Sequence, residues 1–344
     1  MLQHPHRDVL SSAARGWAFL SASPHGMPAA LCSCDPSFDP SLEEIAPPAA
    51  APRLLRERDA TDLGFELGDE AFSAMLALSV LPRAAAPAER RFLGDVARQV
   101  EGARRGSRFA FFPGVPAFAA DTDCTAVAAG ALIEHGLMPE SRFLATVQDL
   151  LRSAVGPGSG TPNGPLHEGV FLVYWDDSTE PDAPPRGPKH DAVACANVLA
   201  TLHLVTGHPD AAPATLAYLR HHLTSGDYRK GTRYYPSPAA FLHAAARVCR
   251  RCARCADALS APLAAALNHV EPESALDLAL LTIAADDIGL GSPPAWREEL
   301  AARQRQDGSW PAHGYFRMGR VPLWFGSPHL TTVFAVRALH GARP

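Results

Sequence analysis

The hexapeptide Asp121-Thr122-Asp123-Cys124-Thr125-Ala126 sets two carboxylates two residues apart, where an apolar helical stretch begins. Ahead of it runs Phe109-Ala110-Phe111-Phe112-Pro113-Gly114-Val115-Pro116-Ala117-Phe118, an aromatic approach broken by proline. A carboxylic acid that protonates something as weakly basic as an alkene needs three things. Low polarity holds its proton, a neighbouring carboxylate tunes it, and aromatic faces receive the cation that results. Asp is equally a preferred helix N-cap, so the hexapeptide also reads as the capped start of a helix.

Other chemically suggestive groups are weaker. His190-Asp191-Ala192-Val193-Ala194-Cys195-Ala196-Asn197 opens a later apolar stretch. There Asp191 suits a cap, while His190 or Asn197 could bond a catalytic acid or a terminating water. Asp176-Asp177 lies in a proline-rich segment and reads as solvated, and Asp286-Asp287 lacks the third carboxylate of a metal-binding acidic motif. Cys249, Cys252 and Cys255 are regularly spaced, but closed structural sites want four ligands and no fourth stands nearby, so no metal is expected.

Composition narrows the classes. With 344 residues, 47% of them hydrophobic, the chain can build a large core. A formal charge of -5 with interspersed signs offers no basic stripe for nucleic acid. Seven cysteines, an odd number, favour free thiols. The N-terminus lacks the organisation of a secretion signal and no apolar run reaches membrane-spanning length, which points to a cytoplasmic protein.

The elements that must position these residues are helical, since Ala/Leu-rich segments with helical spacing dominate. Six are amphipathic, near 7–20, 88–104, 141–154, 210–224, 257–268 and 295–306. Six others are apolar on most sides, near 69–82, 121–135, 190–206, 237–249, 273–285 and 328–340. The two kinds alternate, which predicts an all-α fold over residues 1–344. Helical hairpins would close into an (α/α)6 toroid, apolar helices inside, with an α-solenoid or irregular bundle as the other arrangements. Two segments interrupt the alternation. Residues 35–53, rich in proline, read as an extended surface connection, and residues 155–189, rich in Gly and Pro, as a lid or rim.

Residues Ala302 to Trp310, with Gln304, Asp307-Gly308 and Trp310 in order, resemble the Gln-Trp repeat of the terpene cyclase and prenyltransferase superfamily, which includes the squalene cyclases. Ala14 to Leu20 resembles a degenerate copy. In that light residues 121–126 resemble the acid motif of class II terpene cyclases, blended with the Asp-Cys-Thr-Ala form of oxidosqualene cyclases. The resemblance covers most of the chain as architecture and two short motifs as residues.

That resemblance implies an isomerase- or lyase-type enzyme of isoprenoid biosynthesis. Asp123 would be the Brønsted acid, Asp121 its modulating neighbour and Cys124 the replacement for a further Asp. Phe111, Phe112, Phe118, Trp175, Tyr234, Tyr235, Trp324 and Phe325 would face substrate and cation, and His190 would assist. The substrate would be a polyprenyl small molecule, with no cofactor required and Mg2+ accompanying a diphosphate. Larger relatives use two barrels, so a homodimer or a partner domain could complete the cavity. The alternatives are a non-catalytic or lipid-binding toroid, a protein prenyltransferase β-like subunit, and an (α/α)6 glycosidase or lyase. The prenyltransferase zinc site needs an Asp-x-Cys pair, and Thr122 stands two positions before Cys124.

Overall fold

The computed structural model describes residues 5–59, 63, 65–160, 165–175, 177–205 and 212–340. In chain order its helices are α1 (Pro5–Ser21), α2 (Ala51–Asp59), α3 (Phe72–Val80), α4 (Pro87–Gly102), α5 (Thr122–Glu134), α6 (Glu140–Arg152) and α7 (Ala192–Leu202). There follow α8 (Pro213–Thr224), α9 (Pro238–Arg251), α10 (Ala253–Leu267), α11 (Ala275–Asp287), α12 (Pro294–Ala302) and α13 (Pro328–Leu339). The inner set α3, α5, α7, α9, α11 and α13 packs each against the next, and α13 returns to α3. Outside it, α4, α6, α8, α10 and α12 pack on the inner helix that each follows, and α1 packs on α13. This is the all-α toroid that the alternation predicts.

Three outer helices, α4, α8 and α12, have proline in the first turn, where a missing N–H costs nothing and the fixed φ suits a helix. Five of the six inner helices begin on a capping side chain: Asp121 for α5, Asp191 for α7, Ser237 for α9, Ser274 for α11 and Ser327 for α13. Each outer helix reverses the chain, so all six inner helices run the same way and their N-termini gather at one end of the ring.

Small residues let the inner helices approach closely. A Cβ on Gly130 of α5 would stand 2.9 Å from Thr201 Oγ1 of α7. That hydroxyl donates to the Ala126 carbonyl at 2.8 Å, pinning the two helices just inside the acid end.

Three short strands lie over that end: β1 (Leu31–Ser33), β2 (Phe316–Arg317) and β3 (Trp324–Gly326), antiparallel in the order β1-β3-β2. Phe325 pairs with Cys32 on one side and Phe316 on the other. Residues 35–53 are not wholly extended as expected. A 3-10 turn at Pro48–Ala50 runs into α2, which buries Ala51, Leu54 and Leu55 and so is held by packing that a proline-rich composition conceals. Among the described residues no helix is long and apolar enough to cross a membrane.

Candidate active site

Asp121 caps α5, its Oδ1 accepting the Cys124 N–H at 2.7 Å. Asp123, in the first turn, points inside the ring and is 7% exposed. Burial disfavours its charged form and is the largest influence on its pKa, with the Asp121 charge adding to it. Hydrogen bonds from Tyr235 and Asn197 oppose this, and the net result is a pKa raised to about 7. Burial likewise lifts Asp121, to about 6, against its bonds to the helix start. The Cys124 thiol is pushed well up by burial and both carboxylates, so it stays neutral.

Asn197 holds one oxygen of Asp123 as an acceptor. Its Nδ2 donates to Asp123 Oδ1 at 2.7 Å and its Oδ1 accepts from Arg247 Nη1 at 3.1 Å. A guanidinium only donates, so the amide cannot be turned the other way. Oδ1 of Asp123 is therefore held as an acceptor, while Oδ2 accepts from the Tyr235 hydroxyl, which can turn to accept in its place when Oδ2 carries the proton. Arg247 is buried and is fixed in turn by Ser79 Oγ at 2.9 Å.

The segment expected to form a lid straps this region down. Thr122 donates its N–H to Val173 O at 2.9 Å and its hydroxyl to Leu172 O at 2.8 Å. Glu180 accepts the Ala120 N–H at 3.0 Å and pairs with Arg105 at 2.8 Å. Arg105 also donates to the carbonyls of Phe112, Val115 and Phe118, fixing the proline-broken approach. Buried Arg108 joins Asp149 at 2.8 Å, bonds Asp177, and lies 4.0 Å from the Trp175 ring centre.

Between these acids and the sheet lies a cavity of about 50 Å³. Asp121, Asp123 and Cys124 line it together with Phe111, Phe118, Tyr234, Tyr235 and Phe325 from the expected set. Phe72, Tyr174, Phe316, Arg317 and Met318 also line it and were not expected. Tyr174 adjoins the expected Trp175 and is itself buried; Phe316 arrives through sheet pairing, which has no local sequence signal. Arg247 did have one: an arginine within an Ala-rich inner helix.

Four expected residues stand elsewhere. Phe112 is fully buried behind Phe111 and Phe118. Trp175 donates its indole N–H to Asp149 O at 2.8 Å, and Trp324 leaves the lining to its neighbour Phe325. His190 spends both ring nitrogens on backbone: Nδ1 bonds Phe171 O at 2.8 Å and Nε2 accepts the His167 N–H at 2.9 Å. Burial lowers its pKa, so it is a neutral anchor for the rim segment outside the cavity lining. Asp191 caps α7, as its position suits, and also accepts the Tyr234 N–H at 3.2 Å. Asp176 lies outside the described residues.

At the other motif, Trp310 is fully buried and donates its indole N–H to Leu300 O at 2.6 Å. Gln304 donates to Ser12 O at 2.9 Å and Gly308 O at 2.8 Å and accepts from Arg15 at 2.5 Å. The pair fastens the end of α12 to α1, where the first and last hairpins meet.

No family model matches the chain. A curated protein named drimenol cyclase drtB, from Aspergillus calidoustus, is 31% identical over 179 residues, covering 51% of this chain and 32% of that protein. The chain's match therefore spans about a third of that relative's length. A crystal structure of a protein from Actinoplanes superposes with a TM-score of 0.62 at 15% identity, over 96% of this chain and 98% of that one. The type II terpene cyclase MstE from Scytonema, without ligand, gives a TM-score of 0.60 at 15% identity over 97% of each chain. The chain thus has a type II terpene cyclase-like fold, in agreement with the resemblance read from its two motifs.

Proposed function

We propose that this chain is a class II terpene cyclase in which Asp123 starts the reaction by protonating a polyprenyl substrate. The observation that carries the reading is a buried carboxyl, its pKa raised by burial to about 7, at the wall of a cavity lined by aromatic rings. The Asp123 Oδ2 proton passes to a terminal alkene or epoxide carbon or oxygen, leaving a carboxylate and a carbocation. Ring closure moves the cation along the chain until loss of a proton or addition of water ends it. Each ring facing a desolvated cation contributes about 0.5–2 kcal/mol, and Phe111, Phe118, Tyr174 and Phe316 surround the acid. The likeness to a protein named drimenol cyclase supports the same chemistry.

The cavity, of about 50 Å³, is a small one. A polyprenyl chain needs far more, so binding opens the rim. Arg317 in the lining, and Arg186 with its guanidinium 4.2 Å from the Phe118 ring centre, give that rim positive charge suited to a diphosphate head group.

The test is incubation with geranyl, farnesyl and geranylgeranyl diphosphates, squalene and oxidosqualene, with and without Mg2+, followed by mass-spectrometric product analysis. Wild type should give cyclic product from at least one. Asp123→Asn should give none while keeping its circular dichroism. Unchanged product formation by Asp123→Asn would overturn the proposal, and binding of these lipids without turnover by wild type would favour a carrier.

A further inference from the structure

Away from Asp123, at the far end of the ring, the structure collects two thiols and an imidazole. Helix α9 leads there from the cavity over 14 residues, about 20 Å at the rise of an α-helix. The chain then turns at Cys252, which caps α10, and Cys255 follows in the first turn. His203 closes α7, the neighbouring inner helix. Its Nε2 lies 3.3 Å from Cys255 Sγ, and Cys252 Sγ accepts the Cys255 N–H at 3.3 Å. One ring nitrogen and two sulfurs all lie within 4.8 Å of one another, and among the described residues this is the one such group of His, Cys, Asp and Glu ligand atoms.

The regular series Cys249, Cys252, Cys255 lacks a fourth ligand nearby in sequence. Folding selects a different set. Cys249 bonds Ser260 instead, and His203, some fifty positions away, completes the trio. We propose that His203, Cys252 and Cys255 bind one zinc ion, with the fourth position open to a groove.

Ligand type and spacing both favour zinc. Thiolates with an imidazole suit Zn2+ rather than Mg2+ or Ca2+, which prefer oxygen. Tetrahedral zinc, with bonds of about 2.3 Å to sulfur and 2.0 Å to nitrogen, places its ligand atoms about 3.5–3.8 Å apart. The present separations therefore need only small side-chain adjustments. Both sulfurs are buried, and His203 and Cys255 border a groove of about 560 Å³ that gives an entering ion a path. Arg220, His221 and Arg254 line the same groove, so water or a small anion can take the fourth position. On binding, each thiol releases its proton to solvent and forms one Zn–S bond, while neutral His203 supplies its Nε2 lone pair. The ion clips the ends of α7 and α9 to the outer helix α10. It is also distinct from a prenyltransferase-type zinc, since Cys124 takes no part.

The whole chain, purified without chelator, should carry near one zinc per chain by elemental analysis. Replacement with Co2+ should give a thiolate-to-cobalt band in the near ultraviolet and the intense visible bands of tetrahedral cobalt. Cys255→Ser and His203→Ala should each lower cobalt uptake at least tenfold, and Cys249→Ser should leave it unchanged. Should a variant fail to fold, the wild-type cobalt spectrum still decides, because octahedral cobalt lacks those intense bands. Less than a tenth of an equivalent of metal, full uptake by the Cys252→Ser/Cys255→Ser double variant, or oxidation to a Cys252–Cys255 disulfide with no metal uptake would each overturn the proposal. None of these readouts depends on cyclisation, so this site and the assignment of Asp123 can fail separately.

Discussion

Asn197 Nδ2 stands 2.7 Å from Asp123 Oδ1, and Arg247 holds the other end of the same amide. The pair holds Asp123 Oδ1 as an acceptor and leaves Oδ2 to the Tyr235 hydroxyl. Asn197→Ala removes a bond that favours the ionised acid, so the pKa of Asp123 should rise and the alkaline limb of the rate profile should move to higher pH. Turnover should nevertheless fall roughly tenfold or more, since general acids contribute 10²–10⁴ only when positioned. Arg247 would lose a buried partner, at about 1–3 kcal/mol of stability. Steady-state rates across pH and denaturant titrations check both.

Asp123 also makes stability depend on pH in a direction opposite to most carboxylates. Its folded pKa is raised from 3.8 to about 7, so between those values the unfolded chain has released a proton that the folded chain keeps. Unfolding is then favoured as pH rises, by up to about 1.4 kcal/mol per pH unit, and the effect levels off above about 7. Asp123→Asn lacks this term. Its melting temperature should exceed that of wild type by a margin that grows from pH 4 to pH 7, while wild-type turnover declines above about pH 7. A margin constant with pH would contradict the raised pKa.

The helical alternation made the ring legible because burial imposes a periodicity that sequence preserves, and α5 and α13 fall within a few residues of their expected spans. Asp121, Asp123 and Cys124 were legible because helix starts use few residue types. Phe316 and Tyr174 were not, since their places depend on strand pairing and on a long strap whose path has no local periodicity. His190 misled for the same reason: a histidine at a helix entry looks available until the backbone of His167 and Phe171 occupies both its nitrogens. The His203–Cys255 approach was invisible because its partners sit on different helices.

Trp310 should carry stability rather than chemistry. It is fully buried against the first and last hairpins, and Trp→Ala in such places costs about 3–5 kcal/mol. Gln304→Ala should cost about 1–3 kcal/mol through its lost bonds to Ser12 and Gly308. Both variants should keep the wild-type pH profile of turnover at temperatures where they remain folded. A displaced profile would mean that the repeat communicates with the acid.

Phe316 and Met318 are the wall residues most able to govern what enters. They belong to β2 and the turn after it, which connects to β3 through short contacts such as Met318 N–H to Leu323 O at 2.9 Å, and their side chains meet the acids across the cavity. Core walls such as α5 and α7 cannot retreat without breaking the Gly130–Thr201 contact, so room for substrate has to come from this hairpin or from the strap at Val173 and Tyr174. The two possibilities separate experimentally. If the hairpin opens, a bound non-cyclisable prenyl diphosphate analogue should slow amide exchange over residues 315–325 and leave Thr122, whose N–H the strap holds, unchanged. Phe316→Ala should then lower KM for longer prenyl chains at least several-fold and lessen selectivity, because it removes the ring that fills the space before substrate arrives. If instead exchange changes at Thr122 and Phe316→Ala leaves KM untouched, the strap is the moving wall and the hairpin is fixed.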